Sequence, residues 1–98
     1  MSIKQKQPAV YILANRPHGT LYTGVTSDIN LRVWAHRHGD SGSFTRKYAV
    51  YRLVWIEYHQ TMIDAIRREK GIKKWRRQWK INRIEELNPL WIDLLPEE

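Results

Sequence analysis

The stretch Thr61–Arg83, TMIDAIRREKGIKKWRRQWKINR, limits what this chain can fold into more than any other, because it combines a helical apolar pattern with a heavy positive charge. Met62, Ala65, Ile66, Ile72 and Trp75 recur at three- and four-residue steps, the spacing of one helix face. Between Arg67 and Arg83 there are nine Lys/Arg against one acid, Glu69, so the segment carries +8 in a chain whose total is +7. Only the narrow apolar face can be buried, and the basic remainder has to stay in water. Glu69 breaks this division, since it sits on the apolar face three residues from both Ile66 and Ile72. A carboxylate among apolar neighbours requires a cation. Two readings are open: an internal ion pair with Arg67, Lys70 or Lys73, or a ligand for a metal ion that works on a phosphate drawn in by the surrounding bases.

Ninety-eight residues suffice for one modest core and are too few for two, so a single domain over 1–98 is expected, with residues 1–7 polar and frayed. Without cysteine there are no disulfides, thiolate metal sites or cysteine nucleophiles; any metal is held by oxygen or imidazole, and a reducing cytoplasm is the expected compartment. The opening MSIKQKQP lacks the apolar core of a signal peptide, and no apolar run approaches the ~18 residues of a membrane span. Seventeen Lys/Arg against ten Asp/Glu call for a polyanionic partner. Nucleic acid suits the sequence better than a membrane surface, because Trp75 and Trp79 are interleaved with bases and the apolar face carries Glu69.

From the N-terminus, Ala9–Ala14 reads as a strand, the turn Asn15-Arg16-Pro17-His18-Gly19 as a five-residue loop, and Thr20–Val25 as the returning strand. A bulge in such a hairpin leaves open whether Tyr11 faces Tyr22 or Thr23. Gly24 marks either a bulge or a close approach to the backbone. Thr26-Ser27-Asp28 offers caps for a helix over Ile29–His38, with Leu31, Trp34, Ala35 and His38 as the side packed on the sheet. Arg32 and His36, an i,i+4 pair, project together from another flank, as a solvated pair or as site residues. After a loop at 39–43, Phe44, Arg46, Lys47 and Tyr48 mix rings with bases; they either touch a nucleic-acid backbone and stack a base, or the rings cap the core. Tyr51–Tyr58 reads as a third strand buried on both faces. Thr61 caps the basic helix with Asp64 three residues on, and Gly71, at a cost of about 1 kcal/mol, lets it bend or end near Trp75. A last helix over Gln78–Leu87 stops at Asn88-Pro89, and Leu90–Leu95 docks back on the core. The expected fold is α/β, a small, mostly antiparallel three-stranded sheet flanked by helices.

Ala9-Val10-Tyr11, Tyr22-Thr23-Gly24, Arg32 with His36, Glu69 on its helix, and Asn88 together resemble, in order and spacing, the small single-domain members of the GIY-YIG nuclease family, from Val10 to about Leu94. Ala9-Val10 stands for Gly-Ile and Thr23 for Ile, changes that remove no reactive group. The resemblance implies metal-assisted hydrolysis of a phosphodiester in DNA; the sequence itself does not choose between DNA and RNA. It implies that Glu69 ligates a single Mg²⁺ or Mn²⁺, which keeps several waters. Tyr11 acts as general base or shares that task with Tyr22, its phenol lowered by Arg32 and the metal. Arg32 neutralises the scissile phosphate, His36 assists proton transfer or contacts phosphate, and Asn88 orders the site. Arg46, Lys47, Lys70, Lys73, Lys74, Arg76 and Arg77 are the expected nucleic-acid contacts. The competing expectation is a non-catalytic, basic nucleic-acid-binding module of the same fold.

Overall fold

A computed structural model describes residues 6–38 and 47–96. Its centre is β1 (Ala9–Ala14), buried along its whole length because it is paired on both edges. β2 (Leu21–Thr26) and β3 (Arg52–Tyr58) both run antiparallel to it, in the order β2-β1-β3. Strand alternation splits the apolar side chains between two cores. Val10, Ile12 and Ala14 join Val54, Ala65, Ile72 and Ile84 on the face covered by α2 (Met62–Lys73) and α3 (Arg77–Leu87). Tyr11 and Leu13 join Ile29, Val33 and Leu53 on the face covered by α1 (Ile29–His38). Each fully buried aliphatic side chain contributes about 1.5–3 kcal/mol. The α/β layered sandwich expected from the sequence is therefore present. No helix among the described residues is long and apolar enough to cross a membrane.

The caps follow the sequence. The Asp64 N–H donates to Thr61 Oγ1 at 3.1 Å and opens α2, while that of Leu31 donates to Asp28 Oδ1 at 3.1 Å and opens α1. α2 runs through Gly71 and closes at Lys74, and α3 starts at Arg77, so the break falls around Trp75. The tail docks: buried Trp91 joins one core, Leu94 and Leu95 pack on the other, and the Leu94 N–H donates to Leu53 O at 2.8 Å. Arg37 locks it by donating to Asp93 Oδ2 and Leu95 O, both at 2.7 Å.

Two expectations are corrected. The hairpin loop includes Thr20, whose N–H donates to Asn15 Oδ1 at 2.9 Å while its carbonyl accepts from the Asn15 N–H; Ala14 then pairs with Leu21, and Tyr11 lies opposite Gly24 rather than Tyr22 or Thr23. The packed side of α1 is Ile29, Val33 and His36, while Leu31 (63% exposed) and Trp34 (58%) face outward. Hydropathy favoured the tryptophan, but Trp34 finds its ring partner in His38, 5.2 Å away, and the sheet-facing place goes to a histidine with a buried hydrogen bond to make. Residues 39–46, and with them Phe44 and Arg46, lie outside the described residues.

Candidate active site

The strand register creates the site. With Tyr11 opposite Gly24, the phenol ring lies across the glycine: a Cβ added there would stand 2.4 Å from Tyr11 Oη and 2.5 Å from its Cζ. Gly24 is thus the close approach of backbone and side chain, and it lets the Tyr11 ring, 1% exposed, lie over β2. Tyr22, diagonal to it on the same face, has its ring 6.3 Å away. His36 comes down from α1 between them, its ring 5.4 Å from that of Tyr22 and its Nε2 3.1 Å from Tyr11 Oη.

Burial decides the protonation of this pair. Tyr11 is pushed well above the ordinary phenol value, first by burial and then by Tyr22; Arg32 pulls it downward by less than either, and Glu69 adds a still smaller upward push. His36 is lowered to about 4, first by burial and then by Arg32. At neutral pH the phenol keeps its proton and the imidazole stays neutral. The expectation of a phenol lowered by Arg32 is corrected: Arg32 does pull downward, but desolvation outweighs it.

The remaining residues act on this pair through their charge. The charge of Arg32, whose side chain is exposed on α1, acts on both Tyr11 and His36. Glu69, 7% exposed on the inner side of α2, is felt at Tyr11 from the other layer, since α2 packs against β1 and β2. Tyr11, Tyr22 and His36 are thus in mutual ring contact, and Arg32 on α1 and Glu69 on α2 act on that group through their charge. Of the three candidate partners, Lys73 holds the Glu69 carboxylate, Nζ to Oε2 at 2.5 Å, while remaining half exposed itself.

The other expected residues take different places. Asn88 closes α3 and uses its amide on Val54 O (3.0 Å), Ile92 O (2.9 Å) and the Ile92 N–H (3.0 Å), tying helix, β3 and tail together. Arg77 donates to the hairpin carbonyls of His18 and Gly19, both at 2.6 Å. Lys47, Lys70, Lys74 and Arg76 are exposed. Lys80 was not singled out from the sequence; it is half-buried, and burial first, then the charges of Arg77 and Lys73, hold its pKa below the ordinary lysine value.

Among the described residues no three His, Asp or Glu side chains converge as a ligand set. One buried carboxylate, Glu69, suits a hard divalent ion that keeps most of its water, and offers nothing to a soft one.

The catalytic-domain model of one family, GIY-YIG, matches residues 7–82. The chain belongs to the GIY-YIG family. GIY-YIG domains are typically nuclease domains and generally use divalent metal ions. This GIY-YIG chain is 38% identical over 68 residues to UPF0213 proteins of several Staphylococcus aureus strains, a match covering 69% of this chain and 83% of theirs. It is also similar to the solution NMR structure of a UPF0213 protein from Bacillus halodurans, with a TM-score of 0.51 and 30% identity over 82% of this chain and 84% of that one. The span matched to the GIY-YIG domain contains Tyr11, Tyr22, Arg32, His36 and Glu69, whereas Asn88 falls beyond it.

Proposed function

We propose that this GIY-YIG protein is an endonuclease that hydrolyses phosphodiester bonds in DNA with a single Mg²⁺ or Mn²⁺ held by Glu69. The observation that carries the reading is the buried Tyr11–His36 contact at 3.1 Å, made by a neutral imidazole and a protonated phenol. With His36 carrying its hydrogen on Nδ1, Tyr11 donates its own to Nε2 and turns its lone pairs toward an attacking water. As that water gives a proton to the Tyr11 oxygen, the Tyr11 proton passes to His36, so no free phenolate is required. Tyr22 packs against both rings and holds their orientation. Arg32 stabilises charge that builds on the scissile phosphate. The ion, when bound at Glu69, supplies further neutralisation of that phosphate and orients it. Lys73 has to yield the carboxylate when the ion binds, and its ammonium then faces the same polyanion.

The Glu69–Lys73 ion pair also favours a second reading, a binding module of the same fold in which that pair is permanent. Incubating the protein with nicked, branched, single-stranded and duplex DNA, with Mg²⁺ and with EDTA, separates the two. A nuclease cuts at least one substrate only when the ion is present, and Tyr11→Phe abolishes the cut while the protein stays folded. Binding with no cleavage under either Mg²⁺ or Mn²⁺ establishes the module.

A further inference from the structure

Trp79 stands out at the start of α3, with 53% of its surface exposed. Its ring lies 6.5 Å from that of Trp75 at 71°, and the two line a cleft of about 200 Å³ with Asn82, Arg83 and Glu86. Guanidinium groups surround the pair: Arg68 and Arg83 lie 5.3 and 5.6 Å from the Trp75 ring, and Arg76 lies 5.8 Å from that of Trp79. Arg68 is also paired with Glu57 and Arg83 with Glu86, but Arg76 is in no ion pair among the described residues. Gln78 donates to Asn82 Oδ1 at 2.8 Å, which leaves the Asn82 NH₂ as the group able to donate.

We propose that Trp75 and Trp79 form a subsite that stacks one unpaired nucleobase of the DNA strand, away from the cluster around Tyr11. The exposed Trp79 indole, with half-buried Trp75 as the wall of the cleft, meets a base through its π face, and in a duplex those faces are closed off between neighbouring pairs; only an unstacked base can enter. The cations at the rim match the phosphates on either side of such a base, and the Asn82 amide matches the acceptors on its edge. The proposal rests on DNA being the substrate and adds which form of it this surface engages. It also separates two functions within the basic segment, with Lys73 beside Glu69 serving the reacting phosphate and Trp75/Trp79 serving a neighbouring base.

The test measures binding in EDTA, so that no cleavage intervenes. Fluorescence anisotropy compares a labelled oligothymidylate, the same strand with abasic sugars, and a blunt-ended, loop-free linear duplex of equal phosphate count. Trp79→Ala is expected to weaken single-strand binding about 5- to 100-fold, to leave duplex binding within about twofold, and to bind the abasic strand as the wild type does. Trp79→Phe, which keeps a stacking face, recovers most of the loss. Equal losses on strand and duplex, no loss on the strand, or an abasic strand bound as tightly as the normal one by the wild type would each overturn the subsite. Cleavage in Mg²⁺ is read separately: a protein that binds single strands through Trp79 and never cuts keeps the subsite and loses the nuclease, and one that cuts while ignoring Trp79 does the reverse.

Discussion

Replacing Gly24 with alanine puts a methyl group 2.4 Å from Tyr11 Oη and 2.5 Å from its Cζ. Carbon atoms rest at about 3.5–4.0 Å, so the ring has to retreat by about 1 Å or more. It has little room to do so, being 1% exposed, flanked by Tyr22 and bonded to His36. Overpacking of this kind costs about 1–3 kcal/mol, and losing the Tyr11–His36 bond adds about 1 kcal/mol. Against this, alanine recovers about 0.5–1 kcal/mol of the backbone entropy that glycine costs in a strand. The net loss of about 1–3 kcal/mol corresponds, for a domain of this size, to a fall in Tm of about 5–20 °C. Thermal melting followed by circular dichroism reads it directly. In a Tyr11→Ala background, where the opposing ring is gone, the same substitution at Gly24 should cost nothing. An unchanged Tm for Gly24→Ala, or an equal cost in both backgrounds, would refute the idea that glycine is required here to seat Tyr11.

Further outcomes follow from the same geometry. His36 has an ordinary value of 6.5 unfolded and about 4 folded, so the unfolded chain binds more protons between those limits; the stability it contributes is present above about pH 6.5 and lost as pH falls toward 4, about 3 kcal/mol at most. His36→Asn should flatten the Tm–pH curve in that window and remove the acid limb of the cleavage rate, whereas a wild-type rate still climbing toward pH 10 would point to an ionised phenol instead. Asn88→Ala leaves Val54 O and both Ile92 groups without their partner and should cost about 2–4 kcal/mol in urea denaturation. Single-turnover cleavage well below its Tm should be largely unchanged, and a specific loss of rate would return Asn88 to the catalytic set. Lys73→Met removes the ammonium that holds Glu69 and should tighten Mn²⁺ binding, read by electron paramagnetic resonance, several-fold; unaltered binding would mean that Lys73 does not compete with the ion.

The elements were legible because their signals are local. Thr61 with Asp64, Asp28, the break after Gly71 and the stop at Asn88 act within a few residues of themselves, and each bounds a helix where the residues suggest. The resemblance named Tyr11, Tyr22 and His36 together, and the structure puts their rings in contact, but the chemistry of that contact was not legible. Whether Tyr11 is ionised depends on how far burial outweighs one arginine, a contest between layers that no spacing records. The orientation of α1 failed for a related reason: hydropathy ranks Trp34 above His36, while the sheet selects the residue able to bond Tyr11. Register failed at a single residue, because Thr20 joins the loop through the Asn15 side chain.

Single-turnover cleavage of DNA by Glu69→Gln at saturating Mg²⁺, paired with its melting curve, tests most directly whether this cluster is an active site. Lys73 is half exposed and regains water when its partner is neutralised, so Tm should hold within a few degrees. The rate should fall by at least about 100-fold because the ion loses its one protein carboxylate. A variant that cuts at the wild-type rate, or one that loses activity only because it unfolds, would contradict the assignment of Glu69 as the metal ligand and reduce it to half of a structural ion pair.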